Sequence, residues 1–167
     1  MKKEKEKSRE LDQLDLTILS KLMLDATRPY TEIARELYVS SGTIHVRMRK
    51  MEEMGVVKGA HLVIDYEKLG YDIVAFLGIY LDKSSLYDEV ADQLAQIPEI
   101  VSAHYTTGIY NIFAKIVCRD TTHLREVLHD KIQKIAGIQR TETFISLLES
   151  IDRPVDILGR KNNEKAD

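Results

Sequence analysis

The spacing of the hydrophobic residues changes once along this 167-residue chain, and that change constrains the fold more than any other feature. As far as Gly55 the apolar residues recur at helical spacing. From Ile73 onwards, short runs rich in branched side chains alternate with helical stretches. In the first part Leu14, Ile18, Leu19 and Leu22 follow Asp12, a natural N-cap, and Arg28-Pro29 ends that helix or starts the next segment, because proline disfavours the helical state of its predecessor. A second helix is predicted from Thr31 to Leu37 or Tyr38. A third runs from Ser40 to a C-cap glycine at Gly55.

Beyond it, Gly59–Asp65 alternates weakly and Leu69-Gly70 breaks the pattern, which predicts a linker strand over 59–71. Strands are predicted at Ile73–Leu81, Ile100–Thr107, Tyr110–Cys118 and Ile138–Leu148. Helices are predicted at Ser84–Gln96, with Leu86, Val90, Leu94 and Ile97 on one side, and at Thr122–Ala136, with Leu124, Val127, Leu128, Ile132 and Ile135 inward. The order βαββαβ gives a ferredoxin-like sandwich with its helices on one sheet face. The chain is thus expected to be α+β: a winged-type helix-turn-helix domain at 9–58, a linker at 59–71, a ferredoxin-like domain at 72–152, and a polar, mobile tail at 153–167. Two short helices do not account for Phe76, Tyr80, Tyr105, Phe113 and Phe144, so a second subunit is expected to close the other sheet face.

Composition removes several function classes. The single cysteine, Cys118, forms no internal disulfide, which fits a reducing compartment. The charged start MKKEKEK is followed by no apolar run, so no signal peptide is expected. Ile73–Leu81 is far shorter than the roughly 18–20 residues that cross a bilayer. A cytoplasmic, nucleoid-associated protein is the expectation. Net charge is −3, but residues 1–61 hold 12 basic and 10 acidic side chains, whereas the remainder holds 12 and 17. Ser40–Met51 carries Arg47, Arg49 and Lys50 and no acid, a local patch suited to phosphates.

Ile33, Ala34, Leu37, Val39 and Ile44 carry helix-turn-helix spacing. Ala34 is small enough to let two helices approach, and Ser40 caps the second without a reciprocal Glu, since Thr43 sits three residues on. On a helical projection Ile44, Met48 and Met51 share one side. Gly42, Val46, Arg49 and Lys50 lie opposite, with His45 at the border. Such a helix points its N-terminal residues at base edges and its cations at phosphates. The expected DNA-reading set is Ser40, Ser41, Gly42, Thr43, His45, Val46, Arg47, Arg49 and Lys50. Arg47 stands beside the apolar stripe, where an ion pair inside the domain is as reasonable as a DNA contact.

The chain resembles the Lrp/AsnC family, the feast/famine transcription regulators. The resemblance rests on Leu11-Asp12-Gln13-Leu14-Asp15 with Ile18-Leu19, on Glu32-Ile33-Ala34, and on Ser40 through Met51 ending at Gly55-Val56-Val57. It continues in Leu69-Gly70-Tyr71-Asp72, the turn Thr106-Thr107-Gly108-Ile109-Tyr110-Asn111, and Gln139-Arg140-Thr141-Glu142-Thr143. The strings SGTIHVRMRKMEEMG and TETFISL are most similar to the asparagine-responsive branch. The resemblance implies double-stranded DNA as a partner, dimers assembling into octamers or similar rings, no cofactor, and a small amino-acid effector held between dimers. Carried over, the ligand residues are Tyr105, Thr107, Gly108, Tyr110, Asn111, Gln139, Thr141 and Thr143. Backbone N–H groups at a glycine turn suit a carboxylate. Where many members have an aspartate this chain has Asn111, which favours a polar, neutral ligand. Thr141 and Thr143 also read simply as β-formers in an edge strand.

No enzyme signature competes well. The histidines His45, His61, His104, His123 and His129 do not pair at zinc-binding spacings, no catalytic or metal-binding residue is expected, and no GxSxG, P-loop or GxGxxG occurs. Sirohaem decarboxylase subunits resemble this family, but here only His104 and Arg140 are available for tetrapyrrole chemistry, and the basic recognition helix argues against that reading. An architectural DNA-compacting protein without an effector is the other alternative.

Overall fold

The computed structural model describes residues 10–159. The MKKEKEK start, Arg9 and residues 160–167 of the tail lie outside the described residues. The chain divides into two compact units, one reaching to Val63 and including the segment from Asp152 on, the other spanning Ile64–Ile151.

In the first unit three helices form around one small core: α1 (Gln13–Leu24), α2 (Tyr30–Glu36) and α3 (Ser41–Glu53). Asp12 starts α1 through a reciprocal capping box: its carboxylate accepts from the Asp15 N–H at 2.9 Å, while Asp15 accepts from the Asp12 N–H at 3.1 Å. Ile18, Ile33, Ala34, Ile44, Met48 and Met51 are buried together, so the apolar stripe of each helix meets the others as its spacing predicts. Gly55, at φ 71°, ends α3 in the left-handed conformation, and the Val56 N–H returns to the Met51 carbonyl at 3.0 Å.

In the second unit β1 (Ile73–Leu81), α4 (Tyr87–Leu94), β2 (Ile100–Tyr105), β3 (Ile112–Cys118), α5 (Thr121–Glu126, continued by a π turn at Val127–Ile132) and β4 (Ile138–Ile145) follow the expected order. The sheet runs β2-β3-β1-β4, with every neighbouring pair antiparallel. Ala75, Leu77, Ile79 and Leu81 alternate onto the helix-covered face, where they meet Val90, Leu94, Leu124, Val127 and Ile132. This is the α+β architecture read from the sequence.

Expectations fail at the linker, at strand ends and in the tail: β2 stops at Tyr105 rather than Thr107, and β3 starts at Ile112 rather than Tyr110. No strand or wing forms over 59–71 among the described residues. Leu62 and Val63 are 82% and 93% exposed, so the weak alternation there has neither a core to face nor a strand to pair with, and only a 3-10 turn at Glu67–Leu69 interrupts the coil. The last strand stops at Ile145 rather than Leu148, its final bond running from the Ser146 N–H to the Val74 carbonyl. The tail is not purely polar: Val155, Ile157 and Leu158 lie in it, and its described part belongs to the helical unit.

Candidate DNA interface and ligand site

The helix α3 is positioned by two devices. At its start the Ser40 hydroxyl accepts from the Thr43 N–H at 3.1 Å and pairs with the Thr43 hydroxyl at 2.9 Å, leaving both hydroxyls at the entry of the helix. One turn further on, Arg47 borders the exposed face beside Gly42, Val46 and Lys50 and reaches across to the start of α1. Its Nη1 donates to Asp12 Oδ2 at 2.6 Å and to Asp15 Oδ1 at 2.7 Å, and Asp15 is fully buried. The hydrogen bond from Arg47, with a backbone bond from Asp15, holds the Asp12 carboxyl below its usual range, and the same two aspartates raise the Arg47 guanidinium. Of the two roles open to Arg47, the ion pair within the domain is the one found. It latches α3 to the start of α1, which gives Arg47 a structural role within the domain.

The rest of the expected face is assembled. Gly42, Val46 and Lys50 form one row at four-residue spacing, and His45 and Arg49 form the next. Val46 is 70% exposed, without structural purpose in an isolated domain. Arg49 is held only by an exposed i,i+4 pair with Glu53 at 3.0 Å, which a phosphate or a guanine edge can displace. His45 packs edge-on against Tyr30 at 4.7 Å, fixing the border of the face. At Gly42 an added Cβ meets nothing closer than Ser40 Oγ at 3.7 Å. Packing within the chain therefore does not require a glycine there, whereas close approach of a helix to a groove does.

The ligand candidates of the sheet unit do not converge. Thr141 and Thr143 pair with Ile79 and Leu77 and so lie on the helix side of β4. Tyr105 pairs with Ile112, and its ring lies 4.4 Å from that of Tyr87 on α4. Tyr105 thus belongs to the helix side as well, not to the open aromatic face on which the sequence reading set it. The reason is register: the strand ends opposite a core residue. β2 and β4 are the two edges of the sheet, so Tyr105 and Thr141 stand three strand spacings apart, roughly 14 Å. Thr107 and Gly108 are exposed on the β2–β3 turn, and Gln139 is exposed at the start of β4.

Asn111 closes that turn. Its N–H donates to the Ile79 carbonyl at 2.9 Å, its Oδ1 accepts from the Leu81 N–H at 2.9 Å, and its Nδ2 donates to Ser84 Oγ at 3.4 Å. With one bond at each end of the amide, it shapes the loop, and a second N–H and a second lone pair are left over. The Thr106 hydroxyl secures the same turn by donating to the Tyr110 carbonyl.

Tyr110 alone of the candidates lies on the open face. Its ring covers Gly78 so closely that a Cβ there comes within 2.5 Å of it. Its hydroxyl donates to Glu142 Oε2 at 2.8 Å, and the Tyr80 hydroxyl donates to Glu142 Oε1 at 3.2 Å. Arg140 caps this group, its guanidinium 3.8 Å from the centre of the Tyr80 ring and 3.5 Å from Glu142. The bond to Glu142, then burial, pushes the Tyr110 phenol up to about 12. The sequence reading missed Glu142 as the hub of this cluster. Strict alternation along 140–144 was its signal, since it puts Arg140, Glu142 and Phe144 on one face and the threonines on the other. Phe76 and Phe113, stacked 5.8 Å apart, extend the aromatic surface across the open face, with Phe144 beside Tyr110. His104 and Arg140 share this face but stand on opposite edge strands, so they do not meet.

Comparison with known proteins agrees with both halves. An AsnC-type helix-turn-helix domain profile matches residues 11–52, and an Lrp/AsnC ligand binding domain profile matches residues 74–156. The chain is 46% identical over 145 residues to the regulatory protein AsnC of Haemophilus influenzae, covering 87% of this chain and 97% of that protein. It belongs to the Lrp/AsnC family. The regulatory protein AsnC of Escherichia coli is 43% identical over the same length, covering 87% of this chain and 95% of its own. The solved structure of E. coli AsnC superposes with a TM-score of 0.83 at 41% identity, covering 88% of this chain and 99% of that one. A transcriptional regulator of Neisseria meningitidis, solved as a complex with L-Met, shares the fold with a TM-score of 0.81 at 19% identity, covering 86% and 94%. This Lrp/AsnC chain is accordingly an AsnC-type transcription regulator with a helix-turn-helix and a ligand-binding domain.

Proposed function

We propose that this regulator reads double-stranded DNA with Ser41, Gly42, His45, Val46, Arg49 and Lys50, and that a small amino acid controls its assembly and hence its DNA binding. The observation that carries the DNA face is the division of α3: Ile44, Met48 and Met51 are buried, Arg47 is latched to α1, and the Gly42–Val46–Lys50 and His45–Arg49 rows are left outward. Ser40 and Thr43 serve the entry of the helix, where a phosphate can share their hydroxyls. Replacing Arg49 and Lys50 together by Ala is expected to weaken binding and to flatten its dependence on salt. Affinity and salt slope equal to those of the parent protein rule out this face.

For the effector, the spread of Tyr105, Thr141 and Thr143 over two sheet edges supports a site completed by more than one copy of the chain. Tyr105, Thr107, Gly108, Gln139, Thr141 and Thr143 supply it with hydroxyl, amide and backbone N–H groups, while Tyr110 and Asn111 hold the turn in shape. Asparagine is the first candidate, on the resemblance to the AsnC branch, and L-Met in the Neisseria complex supports an amino acid as the ligand class. The open face bearing Phe76, Tyr80, Phe113 and Phe144 supports a dimer through this unit, with octamers or similar rings built from dimers. No helix among the described residues is long and apolar enough to cross a membrane, and we place the protein in the cytoplasm, on the nucleoid, as a regulator rather than an enzyme. The domains are a helix-turn-helix over 9–58 and a ligand-binding and oligomerisation domain over 72–152. Thermal-shift screening against the twenty amino acids tests the effector. A shift with none of them at millimolar concentration refutes it and leaves the architectural DNA-binding reading.

A further inference from the structure

The helical unit carries an apolar groove of about 670 Å³, bounded by Leu16, Leu19 and Leu22 of α1 and by Val56 and Val57 after α3. The chain's own tail reaches into it. Ile157 lines the groove and is half-buried while the residues on either side are exposed. The tail turns sharply at this point, because Asp156 Oδ1 accepts from the Leu158 N–H at 2.9 Å and the Gly159 N–H at 3.2 Å. Lys58, Gly59, Ala60 and His61, over which the chain leaves the helical unit, line the same groove. The departing and the returning stretch of chain therefore meet on one apolar surface, both within the helical unit.

We propose that Asp152–Gly159 is a strap that clasps the exit segment onto α1 in cis, so that the DNA-reading unit is tethered at two points instead of one. The groove follows the body of α1, and the start of the same helix is latched by Arg47 to the recognition helix. The strap thus bears on a helix that is coupled directly to the DNA face. Its apolar anchor is a single side chain, which makes the clasp releasable: burying part of one Ile shifts a local opening equilibrium by about tenfold.

Limited trypsin digestion of the full chain, with mass-spectrometric reading of the Lys58–Gly59 cut, tests this. Ile157→Asp is expected to speed that cut about tenfold, whereas Ile157→Val leaves it near the parent rate. Equal rates for the parent and Ile157→Asp overturn the proposal. A second variant carries Leu19→Cys and Ile157→Cys and is treated with a short bismaleimide, Cys118 being buried with its thiol pushed up to about 11 and so unreactive. A cross-link within one chain, read as a single-chain mass on a denaturing gel, is the expected result. A two-chain mass, which shows the tail seated on a neighbouring copy, or no cross-link at all, refutes the strap in cis.

Discussion

Two exposed residues separate stability from function. Tyr38 sits at φ 55° in the turn of the helix-turn-helix with its side chain 96% exposed, so it bears the cost of a left-handed conformation and gains no packing. Tyr38→Gly is expected to stabilise the protein by about 1 kcal/mol, read as a raised denaturation midpoint with unchanged m-value. Gly42 is the converse case: the helix has room for a Cβ there, so Gly42→Ala is expected to leave stability equal or higher by up to about 1 kcal/mol while DNA affinity falls. Undiminished affinity in that variant removes Gly42 from the interface. Arg47 belongs at this scale too. The sequence left it between two roles because periodicity places a side chain on a border but says nothing of what waits across it. The acceptors are Asp12 and Asp15, more than thirty positions away in sequence. Since the Asp12 carboxyl is held below its usual range by Arg47, its stabilising contribution is complete above pH about 4 and is lost as pH falls through the lowered value. Arg47→Met is expected to flatten that acid limb of the stability curve in an acid titration followed by circular dichroism.

Among elements, the strands were the most legible because a half-covered sheet imposes a period of two, and β1 was read at its true limits, Ile73–Leu81. The 59–71 segment was misread for the same reason in reverse. Alternation marks a strand only when a core takes one side, and Leu62 and Val63 face solvent. Tyr105 was put on the wrong face because a position at the end of a strand depends on register with a neighbour, which one strand's own sequence does not carry. The β4 element makes a prediction of its own. Glu142→Gln removes the charge that keeps the Tyr110 phenol protonated, so the ionisation near pH 12 is expected to move down towards the usual value of about 10, visible as tyrosinate absorbance. The sign for stability follows: folding favours the neutral phenol, so this contribution is present below pH about 10 and is lost as pH rises towards 12. In the variant that alkaline loss should shrink.

For the whole molecule, the order β2-β3-β1-β4 decides where a ligand can sit. A sheet that parts Tyr105 from Thr141 by three strand spacings does not by itself bring both to one amino acid. If the effector site is shared between copies, Tyr105→Ala and Thr141→Ala each abolish the ligand-induced thermal shift, and assemblies co-refolded from the two variants recover part of it. Mixed assemblies as silent as either parent variant argue that the site is not shared. The resemblance already implies an effector held between dimers, but the periodicity of the chain does not carry the strand order that sets Tyr105 and Thr141 on opposite edges. The pairing of Gly78 with Tyr110 reaches beyond this one molecule. With 2.5 Å between the ring and any Cβ at position 78, the two sites are unable to drift independently during divergence. Descendants that acquire a side chain at 78 must move the ring at 110 off its seat, and with it the bond to Glu142, or lose the aromatic, so one steric contact couples the histories of both positions.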